Sequence, residues 1–256
     1  MDETKRQDFD VEKAWHEQKF YIDSGHWTSH PLFASRERHW LQNHVKKIRF
    51  YSFLYRFIKK EYYKNGADVL MAPLGDGYDL QYLQGIYKNI CGIDLSPIAL
   101  SKCPNVVTKK EGDILTSGYE DESFDIIICA LFLHHVHDIG FEPFVREYYR
   151  ILRKGGVLAI LEPSSLYPIS WIFAYLHKIM GNVTGKVEGE RPISPLCLNK
   201  ILTETNFKKV CIRGITLNHV RFPFWIQTFI NLLDYPIRRF IPFNLFSESV
   251  GWYCKK

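Results

Sequence analysis

Short β-type runs alternate with helix-like segments between residues 68 and 162, and this alternation limits the folds open to the chain. The runs are DVLMA (68–72), NICGID (89–94), NVVTKK (105–110), FDIIICA (124–130) and GVLAILE (156–162). Strands that are mostly apolar without a polar alternation are typical of sheets covered on both faces. Strands alternating with helices favour an open parallel sheet joined by right-handed crossovers. The sequence therefore predicts an α/β fold.

Helix-like segments complete this pattern and divide the chain. The helical candidates are YDLQYLQGIY, SPIALSKC, FEPFVREYYRILRKGG and PLCLNKILTETNF, and two later strands are expected at KKVCIRGI and SVGWYCKK. We expect residues 1–65 to form a helical N-terminal cap and residues 66–256 to form the main domain. Two aromatic-rich segments, at about 165–192 and 215–247, do not fit the alternation and are expected to be insertions.

Composition and charge exclude several classes of protein. The 256 residues are 46% apolar and carry a net charge of +5, and no stripe of Lys and Arg indicates nucleic-acid binding. The most basic stretch, residues 46–64, predicts an amphipathic helix with a solvated basic face, or alternatively a contact with an anionic surface. The six cysteines form no C-x-x-C pair, which predicts a reduced, cytoplasmic chain without a metal site. The charged N-terminus is not typical of a signal peptide.

A glycine turn follows the first predicted strand in DVLMAPLGDGYDLQYL. Gly75 and Gly77 would allow the backbone to approach a ligand closely, because neither has a Cβ. The second strand ends in Asp94, where a carboxylate can accept hydrogen bonds from both hydroxyls of a ribose. This pattern indicates an adenosine-containing ligand and leaves open whether it is a dinucleotide or S-adenosylmethionine.

Five segments in order closely resemble the class I S-adenosylmethionine-dependent methyltransferases, especially the small-molecule branch that includes the ubiquinone and menaquinone methyltransferases. They are VLMAPLGDGYDLQYL, GIDLSPIAL, EGDIL, FDIIICALFLHHV and REYYRILRKGGVLAILEP. The resemblance implies a Rossmann-like sheet of seven strands in the order 3-2-1-4-5-7-6, with the last strand antiparallel. It also implies S-adenosylmethionine as the cofactor and methyl transfer to a small-molecule acceptor.

The resemblance assigns roles along the cofactor. The turn residues Gly75, Asp76 and Gly77 would cradle the methionine part, and Ala130 would line the same side. Asp94 would hold the ribose, with Leu95 packing on the adenine. Asp113 would accept from the adenine amino group, with Ile114 beside the ring.

Two positions depart from the family pattern. Met71 stands where the family usually has an acidic residue that supports the cofactor's amino group, and Pro73 stands where it has glycine. Proline fixes φ and removes an N–H group, so the turn must take a modified shape. Asp76 or Asp79 lies in the same loop and could substitute for the missing acid.

Candidates for a catalytic base follow the fourth and fifth strands. His134 and His135 lie where the site should open, and histidine is the side chain best suited to accept a proton near neutral pH. Glu162, at the end of the fifth strand, is a third candidate. Each of the three has a structural alternative, as a hydrogen-bonding or loop-capping residue.

The sequence also bears on the class of methyl acceptor and leaves two alternative functions. Residues 222–246 are either a buried lid or an interfacial element that contacts lipid, and both alternatives favour an apolar or amphiphilic acceptor. One rival is a degenerate methyltransferase scaffold with a non-catalytic binding role, which the departures at Met71 and Pro73 favour. The other is a dinucleotide-dependent oxidoreductase, which would need a third glycine at the position of Leu80.

Overall fold

A seven-stranded sheet organises the chain, in the order β3-β2-β1-β4-β5-β7-β6. The computed structural model describes residues 36–58, 65–83, 85–180, 191–219, 222, 224–239 and 243–256. The strands are β1 (Ala67–Met71), β2 (Tyr87–Asp94), β3 (Thr108–Glu111), β4 (Phe124–Ala130), β5 (Leu152–Pro163), β6 (Lys209–Thr216) and β7 (Ser249–Lys255).

The strand directions confirm the predicted fold class. The pairs β1–β2, β1–β4, β2–β3 and β4–β5 are parallel, whereas β7 runs antiparallel to both β5 and β6. The carboxyl ends of β1 to β6 therefore share one edge of the sheet. In open α/β sheets a ligand binds at this edge, where the strand order reverses, and here the reversal lies between β1 and β4.

Helices cover both faces of the sheet. They are α1 (Arg36–Phe57), α2 (Pro97–Lys102), α3 (Glu142–Ile151), α4 (Pro168–Met180), α5 (Pro195–Glu204) and α6 (Phe224–Arg239). Ser96 caps α2 through its side chain and Pro97 opens it, as is common at the start of a helix. One buried cluster joins α3 and α5 to the sheet, and a second joins α1 to its opposite face.

The segment after β1 differs from the predicted helix YDLQYLQGIY. Only Tyr78–Tyr82 is helical, as a short 3-10 segment. The Leu83 N–H closes a tight turn onto Leu80, and Gly85 then adopts φ +80°. The Leu83 turn and a left-handed glycine shortly after it are features that end a helix.

Helix α1 packs directly on the sheet, and its Phe50, Tyr51 and Leu54 are fully buried. Lys46 and Lys47 are each only 6% exposed, so the predicted solvated basic face is wrong at these two positions. The division at residue 65 stays a prediction, because residues 1–35 and 59–64 lie outside the described residues.

The two predicted insertions contain α4 and α6, and both helices present apolar side chains to solvent. Trp171, Ile172, Tyr175 and Ile179 on α4 and Trp225, Phe229, Leu232 and Leu233 on α6 are exposed. This exposure differs from the buried lid that was one of the two expectations for residues 222–246. No described helix is both long and apolar enough to cross a bilayer. Residues 181–190, 220–221, 223 and 240–242 lie outside the described part of the chain.

Candidate active site at the carboxyl edge of the sheet

The glycine turn after β1 is fixed to both neighbouring strands. Ala72 donates its N–H to Ile128 of β4, and Leu74 donates to Ile93 of β2, each over 3.0 Å. The Tyr148 hydroxyl from α3 donates to the Ala72 carbonyl, also over 3.0 Å. The turn thus lies at the switch point of the sheet, with its backbone held from three sides.

The two glycines of the turn have different reasons to lack a side chain. Gly75 has φ +59°, and a Cβ built on it would meet no atom within 4 Å. Gly77 has φ +77°, and its Cβ would lie 2.7 Å from Cys103 Sγ and 2.9 Å from Leu80 Cδ1. The expectation that glycine leaves room for a ligand therefore fits Gly75, whereas Gly77 is required by its backbone conformation and by packing inside the protein.

The two family departures, Met71 and Pro73, lie at the start of the turn. Met71 is 2% exposed and packs in the core cluster that also contains Val69, so it presents no polar group at the edge. Pro73 follows a cis peptide bond. The change of loop shape expected from Pro73 stays a prediction, and the chain after it reaches Gly75 in contact with β2.

Asp94 ends β2 and binds the turn. Its Oδ2 accepts the Gly75 N–H over 2.7 Å, and its Oδ1 accepts the Ser96 N–H over 2.9 Å. The side chain is held at the sheet edge and is 8% exposed in all. Each carboxylate oxygen can accept more than one hydrogen bond, so these contacts fix the group and leave acceptor capacity. Leu95 follows it and is half-buried.

Asp113 lies beyond β3 on the same edge. Its Oδ1 accepts the Leu115 N–H over 2.9 Å and caps the short helix Ile114–Thr116. Burial raises the pKa of the Asp113 carboxyl, the hydrogen bond from Leu115 lowers it, and the charge of Glu147 raises it further. Ile114 is buried beside it, 5% exposed.

Asp76 and Asp79, the two candidates to replace the missing acid, differ in environment. Asp76 is exposed and accepts the Tyr78 N–H over 3.1 Å. Asp79 is 8% exposed, and its Oδ2 accepts from Lys47 Nζ over 2.7 Å and from the Tyr51 hydroxyl over 3.0 Å. Burial, followed by the charge of Asp79, raises the pKa of Tyr51 well above its usual value, so this phenol stays protonated and donates.

A buried carboxylate organises the turn after β4. Glu162 at the end of β5 is fully buried, and its Oε1 accepts the N–H groups of Phe132 and Leu133 over 2.8 and 2.7 Å. Its Oε2 lies 2.6 Å from Nδ1 of His134, which is itself 5% exposed. Ala130 and Leu131 begin this turn, and Leu131 has φ +59°. A non-glycine residue in this region is strained and is often found at functional sites.

The other histidines of the group lie nearby. The rings of His134 and His135 are 4.0 Å apart between centroids, and His135 is half-buried. His137 turns away and lies 2.6 Å, through Nε2, from the Arg191 carbonyl. The fold thus joins His134 and Glu162, which are 28 residues apart. Sequence reasoning named both without pairing them, and it did not identify Lys47 or Tyr51 as neighbours of the turn.

A family model described as a methyltransferase domain matches residues 70–160. The match begins in β1 and ends in β5, and it therefore contains the glycine turn, Asp94, Asp113 and the turn after β4. Over these 91 of its 256 residues the chain is thus similar to a methyltransferase domain. The topology of its sheet agrees with that of the solved structures described below.

Curated relatives share modest identity with the chain. A probable S-adenosylmethionine-dependent methyltransferase of Mycolicibacterium smegmatis is 27% identical over 105 residues, covering 40% of each protein. A demethylmenaquinone methyltransferase of Lactobacillus johnsonii is 26% identical over 193 residues, which cover 63% of this chain and 76% of that protein. A hybrid synthetase of Acremonium is 30% identical over 98 residues, 38% of this chain and 2% of that protein. The chain thus spans less than half the length of the Mycolicibacterium smegmatis and Acremonium relatives.

Solved structures share the fold. An S-adenosylmethionine-dependent methyltransferase from Thermotoga maritima superposes with a TM-score of 0.61 at 14% identity, covering 97% of this chain and 99% of that one. An N-methyltransferase from Haemonchus contortus, in complex with phosphomonomethylethanolamine and S-adenosylhomocysteine, has a TM-score of 0.53 at 16% identity. It covers 80% of this chain and 51% of that chain. At these identities the likeness concerns the fold of the methyltransferase domain.

Proposed function

We propose that the chain transfers a methyl group from S-adenosylmethionine to a small acceptor that is apolar or amphiphilic. The observation that carries the proposal is the convergence of the open side of Gly75 with the carboxylates of Asp94 and Asp113 at one sheet edge. The bound cofactor supplies a methyl group on a sulfonium, which needs alignment with the acceptor more than activation.

Each predicted residue has a task in this proposal. Asp94 accepts hydrogen bonds from the ribose, and Asp113 accepts one from the adenine amino group. Leu95 and Ile114 flank the adenine ring, while Gly75, Asp76, Gly77, Asp79 and Ala130 surround the methionine part. The half-buried and buried states of Leu95 and Ile114 support an apolar slot for the ring.

His134 is the proposed base that removes a proton from the acceptor, and Glu162 is its positioning residue. The Nδ1 contact to Glu162 over 2.6 Å orients the ring, and it stabilises the imidazolium that forms when the ring takes up a proton. Glu162 is fully buried and already holds two backbone N–H groups, so it acts through His134 rather than on the acceptor. His135, which is half-buried and whose ring centroid lies 4.0 Å from that of His134, is the alternative base.

The exposed apolar faces of α4 and α6 support the acceptor class and a peripheral contact with lipid. Tyr167, just before α4, donates its hydroxyl to Leu217 over 2.8 Å, so the two helices leave the carboxyl edge of the sheet from adjacent points. Neither helix presents an exposed carboxylate: α4 has no acidic residue, and Asp234 of α6 is fully buried and paired with Arg49 and Arg238. An apolar surface without exposed acidic groups suits an anionic bilayer.

The degenerate-scaffold alternative is not favoured by the comparisons. It rests on the departures at Met71 and Pro73. The backbone on either side of Pro73 is nevertheless hydrogen-bonded to both neighbouring strands, Ala72 to β4 and Leu74 to β2. A cytoplasmic location and the absence of nucleic-acid binding stay predictions.

Methyl-labelled S-adenosylmethionine tests the proposal when it is incubated with the full chain and a cell extract. We expect label to enter the organic-soluble fraction, and a His134→Asn variant to lose most of this transfer. Sedimentation with phosphatidylglycerol vesicles, compared with phosphatidylcholine vesicles, tests the lipid contact. Trp225→Ser with Leu232→Ser should abolish it. Label confined to water-soluble products would contradict the proposed acceptor class.

A further inference from the structure

Lys47 is a buried ammonium whose hydrogen-bonding capacity is largely unused by the described chain. Its side chain is 8% exposed, and Nζ lies 2.7 Å from Asp79 Oδ2. A lysine ammonium carries three N–H donors, and among the described residues Asp79 is the acceptor that it reaches. A buried donor without an acceptor is costly, so two N–H groups of Lys47 call for an acceptor from elsewhere.

Lys47 lies beside the turn that the proposed function assigns to the methionine part of the cofactor, through its contact with Asp79. Asp79 lies in the helical turn that follows Gly77, on the side of β1. The preceding residue of α1, Lys46, reaches Glu248, which adjoins the pairing of Ser249 with Pro163 at the carboxyl end of β5. This part of α1 therefore lies over the carboxyl edge of the sheet, with Lys47 beside the turn after β1.

We infer that Lys47 binds the carboxylate of the cofactor's methionine part, while its partner Asp79 binds the ammonium. The inference rests on the proposed function and extends it. The methionine part is a zwitterion, and a fixed pair of opposite charges matches it group for group through charge-assisted hydrogen bonds. Oδ1 of Asp79 accepts no hydrogen bond from the described residues, so it is available to the ammonium. The pair supplies the charge that Met71 lacks.

The Tyr51 hydroxyl keeps Asp79 in place for this task. It donates to Asp79 Oδ2 over 3.0 Å, and its ring stacks on Tyr82, with centroids 5.3 Å apart. His44 Nδ1 in turn lies 2.6 Å from the Tyr82 hydroxyl. Helix α1 thus holds the charged pair through an aromatic layer, which makes α1 part of the cofactor site and not only a cover over the sheet.

Lys46 provides a matched control from the adjacent position. It is equally buried, at 6% exposure, but its Nζ faces Glu248 at 3.5 Å, next to β7. A variant of Lys46 removes a buried lysine from the same helix without touching the pair with Asp79. Any general effect of losing such a lysine on folding should appear in both variants.

Calorimetric titration of the full chain with S-adenosylhomocysteine and with 5′-methylthioadenosine tests the inference, because the second ligand lacks the amino-acid group. We expect Lys47→Met to weaken binding of S-adenosylhomocysteine at least about tenfold and to leave 5′-methylthioadenosine within about twofold, since the lost interaction is charge-assisted. Lys46→Met should leave the ratio of the two affinities unchanged. If a thermal melt shows that Lys47→Met does not fold, Lys47→Gln, which keeps a donor to Asp79, serves in its place. It should lower the affinity for S-adenosylhomocysteine relative to the affinity for 5′-methylthioadenosine.

If the folded Lys47 variant binds both ligands as tightly as the unaltered chain, the inference is overturned and the proposed function stands. If both affinities fall by the same factor, the inference is also overturned, because Lys47 would then have a structural role. Failure of both ligands to bind the unaltered chain would overturn the proposed function itself.

Discussion

Gly75 donates its backbone N–H to Asp94 Oδ2 over 2.7 Å, which joins the turn after β1 to the end of β2. The same carboxylate accepts the Ser96 N–H through its other oxygen. One side chain therefore sets the distance between the loop that would hold the methionine part of the cofactor and the loop that would hold its adenosine part.

Replacement of Asp94 tests this relationship. Asp94→Ala removes the proposed ribose acceptor and leaves two N–H groups without a partner, each costing about 1–3 kcal/mol when buried. We expect at least about tenfold weaker binding of S-adenosylmethionine by calorimetry, since hydrogen bonds to charged groups contribute about 1.5–3 kcal/mol. Asp94→Asn keeps one acceptor oxygen and separates the effect on folding stability from the effect on cofactor affinity. Compared with Asp94→Ala, it should restore most of the stability and little of the affinity. Unchanged cofactor affinity in a folded variant would exclude Asp94 as the ribose ligand.

The two glycines of the turn should respond differently to substitution. Gly77→Val brings a branched side chain against Cys103 and Leu80 at a position with φ +77°, so we expect a loss of several kcal/mol of unfolding free energy, on the scale of about 1–3 for overpacking plus about 1–2 for the left-handed backbone. Gly75→Val meets open space at φ +59°, so it should cost only about 1–2 kcal/mol for the left-handed backbone, still fold, and lose cofactor binding. Thermal melts with calorimetry measure both properties, and tight binding by Gly75→Val would show that the cofactor does not pass this position.

The pair of His134 and Glu162 should separate catalysis from binding. His134→Asn should lower the methyl-transfer rate by about 10²-fold or more, in the range for general base catalysis, with little change in cofactor affinity. Glu162→Gln should lower the rate as well and shift its pH profile, because the carboxylate that stabilises the imidazolium is gone. A pH profile identical to that of the unaltered chain would reduce Glu162 to a structural residue.

Asp113 should link stability to pH. Burial, partly opposed by the Leu115 N–H, raises its pKa in the folded state, so the folded chain holds this proton more tightly than the unfolded chain. The associated stability is present below the unfolded pKa of about 3.9 and is lost as pH rises through the folded pKa. Asp113→Asn should therefore gain stability relative to the unaltered chain between pH 4 and pH 7, by denaturant unfolding, while binding the cofactor more weakly. A relative loss of stability over that interval would contradict this assignment.

Much of the fold could be predicted because it depends on local patterns. Residues 126–130 of β4 and 157–161 of β5 are continuous apolar runs, and all but Ala130 are buried. The antiparallel β7 was predicted through the family resemblance, since pattern alone does not set the direction of the last strand. The helix after β1 was predicted too long, because the left-handed conformation of Gly85 is set by the loop and not by the apolar periodicity that precedes it.

The candidate site was predicted in its residue types more than in its pairings. Lys46 and Lys47 have the local pattern of a solvated face, but their partners lie 202 and 32 residues away in sequence. The contact between His134 and Glu162 likewise depends on the ends of β4 and β5 meeting. Such contacts follow from strand order and register, which no local window of sequence contains.

Titration of S-adenosylmethionine into the full chain, side by side with the Gly75→Val variant, tests the central claim most directly. We predict saturable binding of one cofactor per chain, displaced by S-adenosylhomocysteine, and its loss in a Gly75→Val variant whose thermal unfolding shows it to be folded. No binding to the unaltered chain, or equal binding to both proteins, would contradict a cofactor site at the turn after β1.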